Sequence, residues 1–166
     1  MRHPLLLSAI LVVAVLAAGA FWLAGAMAQS ATPPADAAKV EVLTVVEHND
    51  HTTTLDLGDA GQSAGDLRVW GSNPLFDETN TSDTGATTQG SCVALDANFA
   101  CVLVETMVFP DGSTLQFQGV EQGRATPSVR TIVGGSGGYL GAAGTATVAP
   151  TDDFSLWTRT IEIIRG

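Results

Sequence analysis

Positive charge is scarce in this chain, and its scarcity removes one class of function at the start. Seven lysines and arginines stand against seventeen aspartates and glutamates in 166 residues, which gives a formal net charge of −10 at pH 7. A surface this acidic repels the phosphate backbone of nucleic acids and the headgroups of anionic lipids. We therefore expect no nucleic-acid partner, and we interpret the acidity as a feature that keeps the protein soluble.

Helical periodicity is also missing from most of the chain. After Ala28 the apolar residues do not recur at the spacing of an amphipathic helix. Short alternating or β-branched runs separated by turn residues occur instead, a pattern typical of an all-β sandwich or barrel. The predicted strands are Val40–Val46, Thr52–Leu57, Asp66–Gly71, Ser91–Leu95, Cys101–Phe109, Thr114–Val120, Val129–Val133, Gly144–Ala149 and Phe154–Ile164.

The longest apolar run lies at the N-terminus and predicts a targeting helix. It follows a cation at Arg2, is long enough to cross a bilayer, and ends with the cleavage pattern Ala26-Met27-Ala28. We expect a signal peptide over residues 1–28, a flexible linker over 29–38 and one domain over 39–166. Retention of the apolar helix as a membrane anchor is the alternative. In either case the domain is expected outside the cytoplasm.

Only two cysteines are present, and two ligands alone do not make a zinc site. Cys92 and Cys101 flank the predicted turn Asp96–Asn98, and each lies in a predicted strand. A hairpin folded about Ala97 brings them nearly opposite each other, close to the spacing that a disulfide needs. An exported compartment favours oxidation. We predict a disulfide, with two free thiols as the alternative.

Three partial motifs lack the context that their chemistry requires. Gly61–Gly65 matches the G-x-S-x-G nucleophile elbow, but an alternating strand follows it where the elbow needs a helix. His48–His51 combines two histidines with a carboxylate, although its spacing is that of a turn. Asp56, Asp59 and Asp66 lack the spacing of an EF-hand. We therefore expect neither a hydrolase nor a metal site.

Glycine is concentrated in Thr131–Thr147, between two predicted strands. Leu140 occupies the position of the third glycine of the dinucleotide fingerprint, and no helix follows, so we do not predict a nucleotide site. Glycines allow positive φ and close backbone approach, which favours two strands joined by a tight corner. The residues predicted to shape this corner or a cavity wall are Gly134, Gly135, Gly137, Tyr139 and Gly144.

The same stretch resembles the GGTG-x-[FY]-x-x-A-x-G signature of the dirigent / allene oxide cyclase superfamily, and Asp111–Gly119 is similar to that family's GSTI-x-x-x-G segment. The resemblance extends over roughly Leu55–Ile163. It implies an eight-stranded antiparallel β-barrel, often trimeric, with an apolar cavity for a small hydrophobic or aromatic ligand and no cofactor. The aspartate and arginine of plant dirigent proteins are replaced here by Gly138 and Ala143, so phenol coupling of the plant type is not expected.

Two charged residues stand alone on otherwise apolar strand faces. Glu105 is the only charge on the alternate positions of Cys101–Phe109, and Arg159 is the only one on a face of Ser155–Ile163. If both faces point into a barrel, the two groups can serve acid–base chemistry or orient a ligand. The alternative is that they face outward or pair structurally.

Three functions fit these features. The first is a cofactor-free cyclase or isomerase whose cavity holds a reactive substrate in one conformer. The second is a secreted carrier of a small apolar molecule, and the third is a structural protein with a filled barrel. The sequence leaves open whether the chain is an enzyme. A membrane tether through the N-terminal segment and a homotrimer are the further expectations.

Overall fold

The computed structural model describes residues 39–123 and 125–165, and the predicted targeting segment and linker lie outside them. The regular structure of the described residues is β, apart from one 3₁₀ turn at Gly137–Tyr139. Within these residues no helix is long and apolar enough to span a bilayer. The strands are β1 Lys39–His48, β2 Thr52–Leu55, β3 Leu67–Asp77, β4 Asp83–Ala94, β5 Cys101–Val108, β6 Thr114–Glu121, β7 Ser128–Ser136, β8 Ala143–Pro150 and β9 Leu156–Arg165.

Eight of these strands close into an antiparallel barrel. The strand order is β1-β9-β8-β7-β6-β5-β4-β3, and β1 pairs again with β3, where Val45 lies opposite Asp77. β2 is an additional strand that pairs with the first part of β3, with Thr52 opposite Trp70. The eight-stranded antiparallel barrel expected from the family resemblance is therefore confirmed.

Apolar side chains fill one half of the barrel. Alternation places every second residue inside, as in β5, where Leu103 and Met107 are buried while Val102 and Val104 are half exposed. Burial of one such side chain contributes about 1.5–3 kcal/mol. The buried cluster of this half is Val45, Leu75, Ala86, Met107, Leu115, Phe117, Ile132, Ala142, Ala146, Val148, Trp157, Ile161 and Ile163.

The predicted glycine corner is present where β7 meets β8 at the end of this apolar half. Gly144 has φ 139°, and a Cβ there would overlap the carbonyl oxygen of Glu162, so only glycine fits. Gly135 is required for a different reason, because a Cβ would lie 2.5 Å from the Tyr139 carbonyl oxygen. The Tyr139 ring stacks on Phe109, with ring centroids 4.5 Å apart.

Two strands extend well beyond their predicted bounds. β3 continues past Gly71 to Asp77, and β4 begins at Asp83 although the prediction started at Ser91. A register shift follows Trp70, where Ser72 has φ 56°, so a β-bulge carries the strand through residues that are usually found in turns. The polar composition of both segments hid them from the pattern of alternating apolar residues.

The predicted disulfide joins Cys92 to Cys101, with their Cα atoms 5.7 Å apart. The sequence predicted that the two cysteines lie nearly opposite each other, and in the barrel they are diagonal across the pair of strands β4 and β5. Cys101 lies opposite Ala94, and Cys92 lies opposite Leu103. The hairpin is centred between Ala97 and Asn98, half a residue beyond the predicted centre, as the hydrogen bond of 2.8 Å from the Leu95 amide to the Ala100 carbonyl shows.

Candidate functional site

β5, β6 and β7 place their charged residues inside the barrel. Glu105, Glu121 and Arg130 are each at most 5% exposed. Because these charged side chains point inward, the outward-facing positions of the same three strands carry no ionisable group. This outer surface is here termed the uncharged face. The uncharged face consists of Val102, Val104, Thr106, Val108, Thr114, Gln116, Gln118, Val120, Val129, Thr131 and Val133.

Five buried charges form one ion network across the barrel. Arg159 approaches Glu105 through Nη1 at 2.8 Å from Oε2 and Nη2 at 2.7 Å from Oε1, while its Nε donates to Glu47 at 2.9 Å. Arg130 donates through Nη1 to Glu105 and through Nη2 to Glu121, the latter at 3.0 Å. The order is therefore Glu47, Arg159, Glu105, Arg130, Glu121, with carboxylates and guanidiniums alternating.

Neutral polar side chains donate further hydrogen bonds to the Glu47 carboxylate. Asn73 Nδ2 donates to Glu47 Oε1 at 2.7 Å, and Thr88 Oγ1 donates to the same oxygen at 3.1 Å. Both donors are fully buried. A buried carboxylate is costly unless its lone pairs are satisfied, which explains why β3 and β4 carry polar residues here.

The network keeps its central pair ionised. Burial raises the pKa of Glu105, but the guanidiniums of Arg130 and Arg159 outweigh burial and hold that pKa below its usual range. Burial lowers the pKa of Arg159, and Glu105 and Glu47 together reverse that effect and raise it. Loss of one partner in such a set costs about 3–5 kcal/mol, because an unpaired charge is left buried.

Glu121 behaves differently from Glu105. Burial raises the pKa of the Glu121 carboxyl, and Arg130 and Arg68 offset this only in part. Arg68 Nη1 lies 3.9 Å from Glu121 Oε1, beyond hydrogen-bonding distance. Glu121 is therefore the carboxylate with an upward-shifted pKa, at the point where the network meets a cavity.

A cavity of about 350 Å³, here termed the inner cavity, opens at the end of the barrel where β1 ends and β9 begins. Its lining combines ion-network residues with aromatic rings, so it is more polar than the apolar cavity expected from the family. Three of the seven lysines and arginines of the chain line it. The lining residues are Glu47, Asn49, Thr52, Thr54, Arg68, Trp70, Asn73, Cys92, Phe99, Glu121, Arg130, Phe154, Trp157 and Arg159.

Two phenylalanines from separate loops meet at the rim of the inner cavity. Phe99 lies between β4 and β5, Phe154 lies between β8 and β9, and their ring centroids are 6.0 Å apart. Both have left-handed backbones, with φ of 69° and 58°. Such conformations cost of order 1–3 kcal/mol and concentrate at ligand clamps and active sites. The Arg68 guanidinium lies over the Phe99 ring, 4.4 Å from its centroid.

A second cavity of about 330 Å³, here termed the outer cavity, adjoins the first. The two share Thr54, Arg68, Cys92 and Phe99. Ala94, Cys101, Gly61, Gln62, Asp56 and Asp66 complete the outer lining.

Asp66 organises a loop that lines the outer cavity. Its carboxylate accepts hydrogen bonds from the amides of Ser63, Leu57 and Gly58 at 2.7, 3.0 and 3.1 Å. These donors lower the pKa of Asp66, so its charge is engaged by its own loop. Asp56 accepts a hydrogen bond from the Gly61 amide at 2.9 Å in the same way.

The residues predicted from the sequence divide between the two ends of the barrel. Glu105 lies at the centre of the ion network, and Arg159 both joins the network and lines the inner cavity. The predicted corner residues lie at the opposite end of the barrel and line neither the inner nor the outer cavity. These residues are Gly134, Gly135, Gly137, Tyr139 and Gly144.

The partial motifs have structural roles. Gly61–Gly65 is a loop in which the Ser63 hydroxyl lies 3.4 Å from Asp66. His48 stacks on Phe76 with ring centroids 4.1 Å apart, and its Nε2 lies 2.7 Å from the Asn80 side-chain oxygen. Across residues 39–123 and 125–165, no group of three or more His, Cys, Asp or Glu side chains is placed to hold a metal ion.

Sequence reasoning missed Glu47, Glu121, Arg130 and the rim residue Arg68. Arg130 carried the same signal as Glu105, a single charge at an alternate position of a strand. The predicted strand Val129–Val133 begins and ends with valines, and both of them face outward. The buried residues of this strand are Ser128, Arg130 and Ile132.

Comparison with known proteins identifies relatives of this barrel. The profile of a family described as dirigent-like protein matches residues 35–163. No curated protein sequence gives a significant match. Among solved structures, the chain is similar to a pyocyanin demethylase, with a TM-score of 0.63 and 20% identity over 74% of this chain and 99% of that one.

Two further solved structures share the fold. The pterocarpan synthase dirigent protein GePTS1 matches with a TM-score of 0.65 and 20% identity, over 79% of this chain and 87% of that one. The Diels Alderase AbmU from Streptomyces koyangensis matches with a TM-score of 0.57 and 16% identity, over 99% of this chain and 84% of that one. At these identities the likeness concerns the fold.

Proposed function

The chain belongs to the dirigent-like family, and on that premise we propose that its barrel binds a small aromatic or hydrophobic molecule in the inner cavity and steers its cyclisation or isomerisation. One observation carries the proposal: aromatic rings and a buried ion network line the same cavity of about 350 Å³. A volume of this size lies within the range of small-molecule sites.

The two kinds of lining residue have complementary roles. Trp70, Trp157, Phe99 and Phe154 offer flat apolar surfaces that hold a ring system in one orientation. Restriction of a flexible substrate to a reactive conformer removes an entropic barrier without any cofactor. Glu121 ends the ion network at the cavity wall and has a pKa raised by burial, so it is the residue best placed for acid–base chemistry on a bound substrate.

The solved relatives support a ring-forming reaction by their fold. One is named a pterocarpan synthase, another a Diels Alderase, and a third is described as a heme-binding cyclase that catalyses a [4 + 2] cycloaddition. The polar residues of plant phenol coupling are absent at Gly138 and Ala143, and both positions lie at the glycine corner, far along the strands from the inner cavity. In this barrel the ion network, in place of those two residues, supplies the polar groups that face a ligand.

A carrier without catalytic activity is the second candidate. It is favoured by the mutual pairing of the ion network, since Glu105 contacts both Arg130 and Arg159 and is committed to structure. Conversion of a bound molecule distinguishes the enzyme from the carrier.

We further propose that the barrel works outside the cytoplasm and assembles as a homotrimer. Export is supported by the apolar N-terminal sequence and by the disulfide, with a membrane tether if the N-terminal segment is retained. Assembly through the uncharged face avoids contact between like charges in a chain of net charge −10. Sedimentation should show a trimer that Val104→Glu dissociates and Val42→Glu, an exposed valine outside this face, leaves intact.

A large side chain introduced on β2 tests whether the ligand binds in the inner cavity. Thr52 lines the inner cavity, while the neighbouring Thr53 faces away from it and pairs with the half-exposed Val69. A ligand found by thermal-shift screening should stabilise the parent protein by about 2.7 kcal/mol at a hundredfold excess over Kd. Thr52→Phe should abolish this stabilisation and Thr53→Phe should retain it. Equal stabilisation of both variants would place the ligand elsewhere and contradict the proposal.

A further inference from the structure

Arg68 differs from the other arginines whose contacts the structure describes. Arg130, Arg159 and Arg165 each have a carboxylate oxygen within 3.0 Å. In the described part of the chain no hydrogen bond to the Arg68 guanidinium is found, and its ion-pair partner Glu121 is 3.9 Å away. Its side chain is only 19% exposed, so water reaches a limited part of it. Arg68 thus presents up to five donors that the protein leaves without acceptors.

Arg68 makes a close contact with an aromatic neighbour. The guanidinium carbon lies 4.4 Å above the Phe99 ring centroid, a cation–π distance. The N–H groups of a guanidinium lie in its own plane as a fork that matches a carboxylate with two parallel hydrogen bonds, and contact with a ring face leaves them available to such an acceptor. Arg68 lines both cavities, so it stands at their junction.

Arg68 is the cation of the inner cavity that the ion network does not bind. The lining contains Arg68, Arg130 and Arg159 against Glu47 and Glu121. Glu105 pairs with both Arg130 and Arg159, so the five-residue network has one net negative charge and Arg68 brings the total to zero. An anion is therefore recognised by the Arg68 donors themselves and not by an overall positive charge. The carboxylate that lies 3.9 Å from Arg68 is that of Glu121, and its other oxygen accepts a hydrogen bond from Arg130 at 3.0 Å.

The outer cavity has room for an apolar body. Ala94, Phe99 and the disulfide between Cys92 and Cys101 line it. The carboxylates in its lining are Asp56 and Asp66, and both accept hydrogen bonds from backbone amides of their own loop. An apolar group beside Arg68 therefore meets mainly carbon and sulfur atoms.

We propose that Arg68 is the anion-binding residue of this site, and that the ligand is an amphipathic anion with its carboxylate or sulfonate on Arg68 in the inner cavity and an apolar body extending into the outer cavity. This inference rests on the proposed function and narrows its ligand class. Arg68 orients the ligand and takes no part in bond making.

Two fluorescent probes with the same ring skeleton test the inference on the full-length protein. 8-Anilinonaphthalene-1-sulfonate carries an anionic group, and N-phenyl-1-naphthylamine lacks it. Arg68→Gln removes the guanidinium. Arg165→Gln is the matched control, because Arg165 also stacks on an aromatic ring, Tyr139, at 4.6 Å but lies at the opposite end of the barrel. Both variants change net charge equally, and melting temperatures check their folding.

The expected result is a charge-specific loss. Arg68→Gln should weaken binding of the sulfonate about tenfold or more, the scale of a hydrogen bond to a charged group, and leave the neutral probe within about twofold. Arg165→Gln should change neither. Equal affinity for both probes, or a sulfonate affinity unchanged by Arg68→Gln, would overturn the anion inference alone. Failure of both probes to bind the parent protein would overturn it together with the proposed function.

Discussion

Replacement of Glu105 by glutamine removes the central negative charge of the ion network with little change of shape. The parent carboxylate contacts Arg130 and two nitrogens of Arg159. In the variant both guanidiniums stay buried, each with only one remaining carboxylate, Glu121 for Arg130 and Glu47 for Arg159. The side-chain amide nitrogen of the glutamine is itself a hydrogen-bond donor, and it faces the N–H donors of Arg130 and Arg159 without an acceptor.

The magnitude follows from this geometry. Removal of one partner from a buried charge pair costs about 3–5 kcal/mol. Glutamine keeps one acceptor oxygen, so we expect a loss near the lower limit, about 3 kcal/mol. For a domain of this size, about 3 °C of melting temperature corresponds to each kcal/mol, which gives a fall of about 10 °C.

Thermal and urea unfolding measure the effect, with Glu162→Gln as the matched control. Glu162 is exposed on the outer side of β9, so its replacement should change stability by less than about 0.5 kcal/mol. The parent–variant difference should also depend on pH. Since the pKa of Glu105 is lowered from 4.5 by folding, its contribution is complete above that value and is lost as pH falls below it.

Two results would refute this reasoning. Equal stability of Glu105→Gln and the parent at neutral pH would mean that the network does not need its central charge. A parent–variant difference that widens as the solution is acidified below about pH 4.5 would mean that folding raises the pKa of Glu105, against the direction assigned here.

Other predictions concern the corner, the disulfide, the surface carboxylates and export. Gly144→Ala should lower stability by at least 1–2 kcal/mol, about the cost of a left-handed alanine, whereas Gly134→Ala, where a Cβ meets only a distant Gln side-chain oxygen, should melt near the parent. Reduction of the disulfide should cost about 2–3 kcal/mol, and thiol alkylation before reduction should label no cysteine. Folding lowers the pKa of Asp77 and Asp153 to about 2, so stability should fall as pH drops from about 4 towards 2, and asparagine at both positions should flatten that slope. Intact mass of the exported protein should show a chain that starts at Gln29, and a membrane-bound form of full mass would favour the anchor.

The fold was predictable because most strands carry a clean alternation. Cys101–Phe109 was predicted almost to the residue, since its buried and exposed positions alternate without interruption. The second part of β3 and the first part of β4 were missed. Their Ser72, Asn73 and Thr88 belong to a bulge or to the hydrogen bonds around Glu47, and such partners are not visible in a single strand.

The site was predictable only in part for the same reason. Glu105 and Arg159 stood out because each interrupts an apolar face. Their direct contact depends on strands separated by 54 positions in the chain, which a local pattern does not reveal. Arg68 was missed because its significance lies in what it lacks, a bound carboxylate, and that is a property of the assembled barrel.

The most direct test of the central claim is an NMR titration of the tryptophan indole N–H groups with the anionic naphthalene probe. Trp70 and Trp157 lie on different strands and both line the inner cavity. The account predicts that both indole signals shift together with the amides of Phe99 and Phe154, along one saturable curve. Saturable binding that leaves both indole signals in place would show that the inner cavity is not the binding site and would contradict the account.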